Sequence, residues 1–292
     1  MLITEYLGSS PTAFTVTALI LGLMVGSFLN VVIFRLPVML KRDWKAQCEE
    51  FLEIEADSSS ATRFNLSTPS SHCPQCDHKI RWWENIPLLS YLFLRGRCSG
   101  CQTHISLRYP IVELCTGLLT AFAAWHFGFG IPALAAMFLG WVLIALSMID
   151  FDTKLLPDNI VLPTLWIGIL LNINGTFTSL ESSVIGAAAG YMSLWSIFQI
   201  HHLITGREGM GFGDFKLLAL LGAWLGWQSL LTILLLSSLV GAVVGISLII
   251  FLGRDKQIPI PFGPYLAAAG WISLIWGDQL IRVYLDYSGL QI

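Results

Sequence analysis

Charge is what this chain has least of. Only 12% of its 292 residues are charged, against about 25% in an ordinary soluble domain. A chain so poor in ions does not present a surface that faces water on every side. Its net charge of −3 gives no electrostatic ground for a nucleic-acid partner. No basic residue precedes the first apolar run in MLITEYLGSS, so that run reads as a retained span and not as a cleavable leader. Signatures of common chemistry are missing as well. The sequence has no HExxH motif, no Ser-His or Cys-His arrangement, and no strand–GxGxxG–helix unit. Metalloprotease, serine or cysteine nucleophile and Rossmann-type cofactor readings are therefore without their residues.

What the chain has instead is apolar length. It is 55% hydrophobic with a mean hydropathy of +0.70. The apolar residues fall in runs of about 20, the length a helix needs to cross ~30 Å of hydrocarbon. Eight candidate spans lie near 13–34, 110–129, 132–149, 160–174, 184–203, 215–227, 230–252 and 262–281. The fourth and sixth are short, and the sixth, Phe215 to Trp227, is expected to be tilted or partly re-entrant. Of the 16 basic residues, ten lie between Arg35 and Arg108. Lys154, Arg207, Lys216, Arg254 and Lys256 fall in links on the same side, leaving Arg282 on the other. Positive charge favours the cytosolic side, so the polar region is expected there with both termini outward. The expected fold is an all-α polytopic membrane protein with about eight transmembrane helices and a small cytosolic zinc-ribbon-like domain. Its divisions are a first transmembrane helix at 1–35, a cytosolic domain at 36–108 and a helical bundle at 109–292.

The polar region opens with an acidic, helix-like piece around Glu49, Glu50, Glu53, Glu55 and Asp57, followed by a Ser/Thr-rich linker. Then come Cys73-Pro74-Gln75-Cys76 and Cys98-Ser99-Gly100-Cys101, with 21 residues between them. Two intervening residues let both sulfurs of a pair face one metal, so two matched pairs fit a closed four-thiolate zinc site. A segment this small cannot bury enough core to hold itself, and a metal staple is expected. Disulfides are the competing reading, and the cytosolic side argues against them. A lone redox dithiol does not explain two matched pairs. A closed thiolate set makes the zinc structural and not catalytic. His72, His78 and His104 read as surface residues beside a full ligand set, while Cys48 and Cys115 read as ordinary small side chains. Between the pairs lies an apolar excursion, Trp82 to Leu94, which forms either a small core or a patch in the membrane interface, where Trp and Tyr sit well.

Two acids stand out beyond it. Asp150 ends the third span, and Asp214 follows three alternating glycines in Gly209-Met210-Gly211-Phe212-Gly213. Neither has a basic residue beside it, and both lie at the cytosolic end of a span. Acids at membrane depth are costly and default to function. Two that face each other share a proton, one accepting from water while the other donates to the peptide. Asp152 and Asp158 read as solvated or capping, within reach of Lys154. Glu208 and Asp255 read as partners of Arg207, Arg254 or Lys256.

These residues resemble the type IV prepilin leader peptidases, which also serve type II secretion. The likeness rests on Gly26-Ser27-Phe28-Leu29-Asn30-Val31-Val32, Arg35-Leu36-Pro37, both cysteine pairs, Arg108-Tyr109-Pro110 with Glu113, the Asp150 to Pro157 segment and Gly211-Phe212-Gly213-Asp214. The last string also resembles that of presenilin-like intramembrane aspartic proteases. The resemblance implies a bacterial inner-membrane enzyme with two activities. One cuts the basic leader from prepilins and pseudopilins after a glycine. The other N-methylates the new N-terminus with S-adenosylmethionine. It implies catalytic roles for Asp150 and Asp214, metal ligation by Cys73, Cys76, Cys98 and Cys101, and a part in methyl transfer for Gly96. From the residues alone, Gly96 reads equally as a turn between two arginines. Two other functions compete: a transporter or proton relay built on the two acids, and a scaffold that binds partners through the cysteine domain. A relay would be expected to hold its acids near mid-bilayer, and it gives no reason for the cysteine pairs.

Overall fold

The computed structural model describes residues 3–54, 64–206, 209–253 and 260–288. Glu55, Asp57, Arg63, Arg207, Glu208, Arg254, Asp255 and Lys256, and with them the start of the Ser/Thr-rich stretch, lie outside the described residues. The fold is all-α, and among the described residues the only β pairing is two isolated bridges. The chain divides into two compact units, one up to Trp141 and one from Val142.

The first unit begins with a short helix α1 (Ile3–Ser9) and a long α2 (Pro11–Phe51). Ser10 starts α2: its Oγ accepts the Ala13 N–H, and Pro11 occupies a position where no amide donor is needed. The sequence boundary at residue 35 is not where this helix ends. It runs through Pro37 for 41 residues, although an interior proline removes one helical hydrogen bond and usually breaks or kinks the rod. Good helix formers follow the proline, with a Lys45–Glu49 pair at one-turn spacing. On the face just before it, buried Arg35 donates to the carbonyls of Asn65 and Leu66. A 3-10 turn (Trp82–Asn85) and a short α3 (Leu89–Phe93) lie inside the cysteine region, followed by α4 (Arg108–Phe127), which packs along α2. On α4, Thr116 and Thr120 return their hydroxyls to the helix backbone, and Thr120 Oγ1 accepts the Trp141 indole N–H at 2.8 Å.

Helix α5 (Ile131–Thr153) leads into the second unit, which holds α6 (Asp158–Asn172), α7 (Leu180–Thr205), α8 (Phe212–Leu225), α9 (Gln228–Leu252) and α10 (Gly263–Ser288). Helix α8 is its centre. Leu217, Leu218, Leu220, Leu221 and Trp224 are fully buried, and α6, α7, α9 and α10 all pack on it. A helix apolar all round belongs inside. Its C-terminal end is held by buried Asn172, whose Nδ2 donates to the Ala223 and Trp224 carbonyls while Oδ1 accepts from Phe177 and Thr178. These are helix-end groups that would otherwise be buried unpaired.

The eight expected spans each coincide with a helix. Among the described residues five helices (α2, α4, α5, α7 and α9) are long and apolar enough to cross a membrane. The expected short segments are short: α6 has 15 residues and α8 has 14, about 21–23 Å at 1.5 Å per residue, against ~30 Å of hydrocarbon.

Candidate active site and metal centre

Asp150 lies in the last turn of α5, which Lys154 ends with a φ of 59° and an N–H bonded to the Asp150 carbonyl at 2.9 Å. A carboxylate in the last turn meets the negative end of the helix dipole, so this acid needs a donor from elsewhere. It finds one in α10. Asp150 Oδ2 accepts the Gly263 N–H at 3.0 Å, and the side chain is only 5% exposed. Asp214 lies in the first turn of α8, where the dipole favours a carboxylate. It is 9% exposed, and Phe212 and Phe215 of the same turn pack their rings on each other and on Phe198 of α7. Gly213 brings this turn hard against Leu156, where a Cβ would stand 2.8 Å from that side chain. Leu156, six residues past Asp150, packs on Gly213 beside Asp214, and α10, whose Gly263 N–H holds Asp150, packs on α8, so the two acids, distant in the chain, lie in one neighbourhood of the second unit. Asp158, expected to be solvated or capping, is half exposed in the first turn of α6, but its basic partner is Lys216 at 2.7 Å, while the Lys154 ammonium donates to the Phe151 carbonyl.

In the first unit the four expected cysteines converge. Their sulfurs all lie within 4.8 Å of one another. Cys73 Sγ is 3.8 Å from Cys101 Sγ, and Cys76 Sγ is 3.9 Å from Cys98 Sγ. A tetrahedral ion with metal–sulfur bonds of about 2.3 Å has edges of about 3.8 Å, so the set fits a four-thiolate metal. Each pair lies in the same kind of tight loop. In one, the Cys73 N–H bonds the His78 carbonyl and the Asp77 N–H bonds the Cys73 carbonyl. In the other, the Cys98 N–H bonds the Thr103 carbonyl and the Gln102 N–H bonds the Cys98 carbonyl. Asp77 and Gln102 both take positive φ, at 54° and 61°.

Four thiols this close cannot all ionise without a cation. The backbone N–H groups of Gln75 and Cys76 lower the Cys73 thiol, and the Thr103 hydroxyl, with its N–H, brings Cys101 down to about 6. Against the His78 N–H, which favours its thiolate, the neighbouring sulfurs and burial push Cys76 up to about 12.

His78 is not the plain surface residue expected. It bonds Glu84 and Ser99, and Glu84 in turn accepts the Arg81 N–H at 2.8 Å and the Ser99 hydroxyl at 2.7 Å. The Arg81 N–H foremost, then Ser99 and His78, hold the Glu84 carboxyl down to about 2. Gly96 takes a φ of +67° at the turn after α3, where an added Cβ would stand 2.7 Å from the Tyr91 hydroxyl. That geometry is what a tight turn needs, and nothing in it selects a methyl donor. The region is tied to its helices by buried polar groups. Glu113 on α4 accepts the Leu88 N–H at 2.9 Å and Ser27 on α2 bonds Asn85. Within the apolar excursion, Trp82, Leu92 and Phe93 are 77%, 70% and 84% exposed, which suits a patch facing lipid headgroups better than a core.

Three of these features escaped the sequence reading. Gly263 carries no side-chain chemistry, and its only sign was a Gly-Pro pair opening a span. Glu113 was named in the sequence only for the family likeness, and its bond to the Leu88 N–H had no linear signal beyond an acid among apolar residues of a helix. The bonds of His78 with Glu84 and Ser99 depend on folding and had no linear signal.

A polytopic helical membrane protein with two buried acids at helix ends and a four-thiolate module belongs to a narrow class. Residues 20–127 match the bacterial peptidase A24 N-terminal domain, and residues 137–246 match the type IV leader peptidase family. The prepilin leader peptidase/N-methyltransferase of Stutzerimonas stutzeri is 57% identical over 98% of this chain and 99% of its own. Those of Pseudomonas aeruginosa and Aeromonas hydrophila are each 54% identical, over 100% and 97% of this chain and 100% and 98% of theirs. No solved structure matches the chain significantly. The chain belongs to the type IV leader peptidase family.

Proposed function

We propose that this protein cleaves the basic leader from prepilins and type II secretion pseudopilins and then N-methylates the exposed N-terminus. The observation that carries the reading is the placement of Asp150 and Asp214, both buried at helix ends of one unit and joined through the contacts of Leu156 with Gly213 and of Gly263 with Asp150. The relatives' printed name, prepilin leader peptidase/N-methyltransferase, supports both activities. A prepilin is a basic leader followed by an apolar helix, so its scissile bond lies at the cytosolic edge of the bilayer. The positive-residue pattern supports the same level for the two acids, and the family of the chain supports a bacterial inner membrane as its site.

Cleavage needs one carboxylate to take a proton from water as its oxygen attacks the peptide carbonyl, and one carboxyl to donate to that carbonyl oxygen. The amine then leaves with the proton first taken. Cys73, Cys76, Cys98 and Cys101 hold a structural zinc, which supplies fold and no chemistry. S-adenosylmethionine supplies the methyl group, and the loop of Gly96 in the cysteine module is where we place that activity. No observation favours a transporter or scaffold.

The test is mass spectrometry of a purified prepilin incubated with the enzyme. D150N and D214N should each lower cleavage by at least about 10³-fold while the protein still folds. Substantial cleavage by either variant refutes the pair. Adding the methyl donor should add one methyl group to the cleaved product.

A further inference from the structure

The first turn of a helix leaves four amide donors without helical partners. In α10, Pro264 has no N–H, and the Tyr265 N–H turns back to the Phe262 carbonyl at 3.1 Å, which also takes the first regular helical bond, from Leu266, at 3.2 Å. The Gly263 N–H has no partner within the helix and donates to Asp150 Oδ2. Asp150 thus caps α10 from another helix. The approach is close enough that a Cβ on Gly263 would stand 2.7 Å from Oδ2, so the position admits only glycine while the carboxylate keeps its place. Among the described residues no such donor is found for the Asp214 carboxyl, so the two acids sit in unequal surroundings.

We infer that the Gly263 N–H is a positioning donor that holds Asp150 in its carboxylate form, marking it as the proton acceptor of the pair and Asp214 as the donor. The inference rests on the peptidase reading above. Water gives its proton to Asp150 while its oxygen bonds the scissile carbonyl carbon. Asp214 gives its proton to the carbonyl oxygen. Asp150 then passes its proton to the leaving nitrogen as the carbon–nitrogen bond breaks, and the collapsing gem-diol returns a proton to Asp214. Both acids end as they began. The charged groups facing Asp150 are Asp214 on α8 and Lys154 just past α5. Asp152 lies on the same helix end, and Lys216 on α8 is taken up by Asp158 on α6.

The test measures prepilin cleavage by the full-length enzyme from pH 4.5 to 9 in four forms: wild type, G263A, D150N and G277A. Gly277 lies on the same helix with open space around its Cβ direction, so G277A should match wild type. G263A should lose roughly 10- to 100-fold in kcat with KM within about twofold. Its acidic limb should move up by about one pH unit, because a donor that favours the anion has been displaced. Methylation of a pre-cleaved peptide should be unchanged in G263A.

A wild-type profile in G263A, or a lower kcat with an unmoved limb, overturns the inference. If G263A melts before assay, the pair D150A and D150A/G263A decides. Removing the carboxylate should make room for the new Cβ and abolish its thermal penalty, and an equal penalty in both backgrounds overturns the contact. Cleavage by D150N overturns both this inference and the reading beneath it. An inactive D150N with an unshifted G263A overturns this inference alone.

Discussion

At Glu84 one carboxylate ties together three parts of the cysteine module: the Arg81 backbone, the His78 ring of the first loop and the Ser99 hydroxyl of the second. These donors favour the ionised form and bring its folded value from 4.5 to about 2. The stability it adds is therefore fully present above about pH 4.5 and disappears as pH falls through about 2. E84Q should lower the thermal midpoint of the module at neutral pH. The gap to wild type should close on acidification below pH 4.5, since the wild type then loses the same contribution. A melt series followed by tryptophan fluorescence checks this, and a gap independent of pH would refute it. The contrast with Gly263 shows which residues a sequence reveals. Asp150 and Asp214, which the fold buries at helix ends, and the four cysteines, which it brings together, stood out in the sequence because their chemistry is in the side chain and their surroundings are unusual in polarity or spacing. Gly263 acts through a backbone amide that every residue but proline carries, and only the fold shows where that amide points.

Among the elements, α8 carries the tightest packing. Gly222 of α8 and Gly186 of α7 meet backbone to backbone, and a Cβ on either would run into the other's carbonyl oxygen. Such a crossing lets two helices approach closely where apolar solvent gives no drive to associate. Backbone cannot rotate aside as a side chain can, so G222A should cost about 1–3 kcal/mol or more, read as a lowered thermal midpoint in detergent. A neutral result would mean that the helices stand further apart. The helix pattern itself was readable from apolar run lengths, including the shortness of α6 and α8. The end of α2 was not. Pro37 argues for a stop by local rules, yet helix formers beyond it and Arg35 bonding across to Asn65 and Leu66 carry the helix on to Phe51. Tertiary contacts overrode the local signal.

For the whole molecule, the four-thiolate module predicts one zinc per chain by elemental analysis. C98S or C101S should reduce it to background and open residues 72–108 to limited proteolysis, because structural zinc contributes about 10–16 kcal/mol to small folds of this kind. Retained metal in either variant would refute the ligand set. The 41 residues of α2 make a rod of about 61 Å, twice the ~30 Å of a hydrocarbon layer. Arg35 and Arg42, seven residues apart on one face, both rest against the ring of Phe64 at 5.7 and 4.4 Å. Inserting a single alanine between Val38 and Met39 should turn everything beyond it by about 100°, swing Arg42 off the ring and expose residues 64–72 to protease, while most point substitutions there should not. The outboard half of α2 is thus a shaft with a key cut into it: it transmits angle as well as height, and its length is indexed residue by residue.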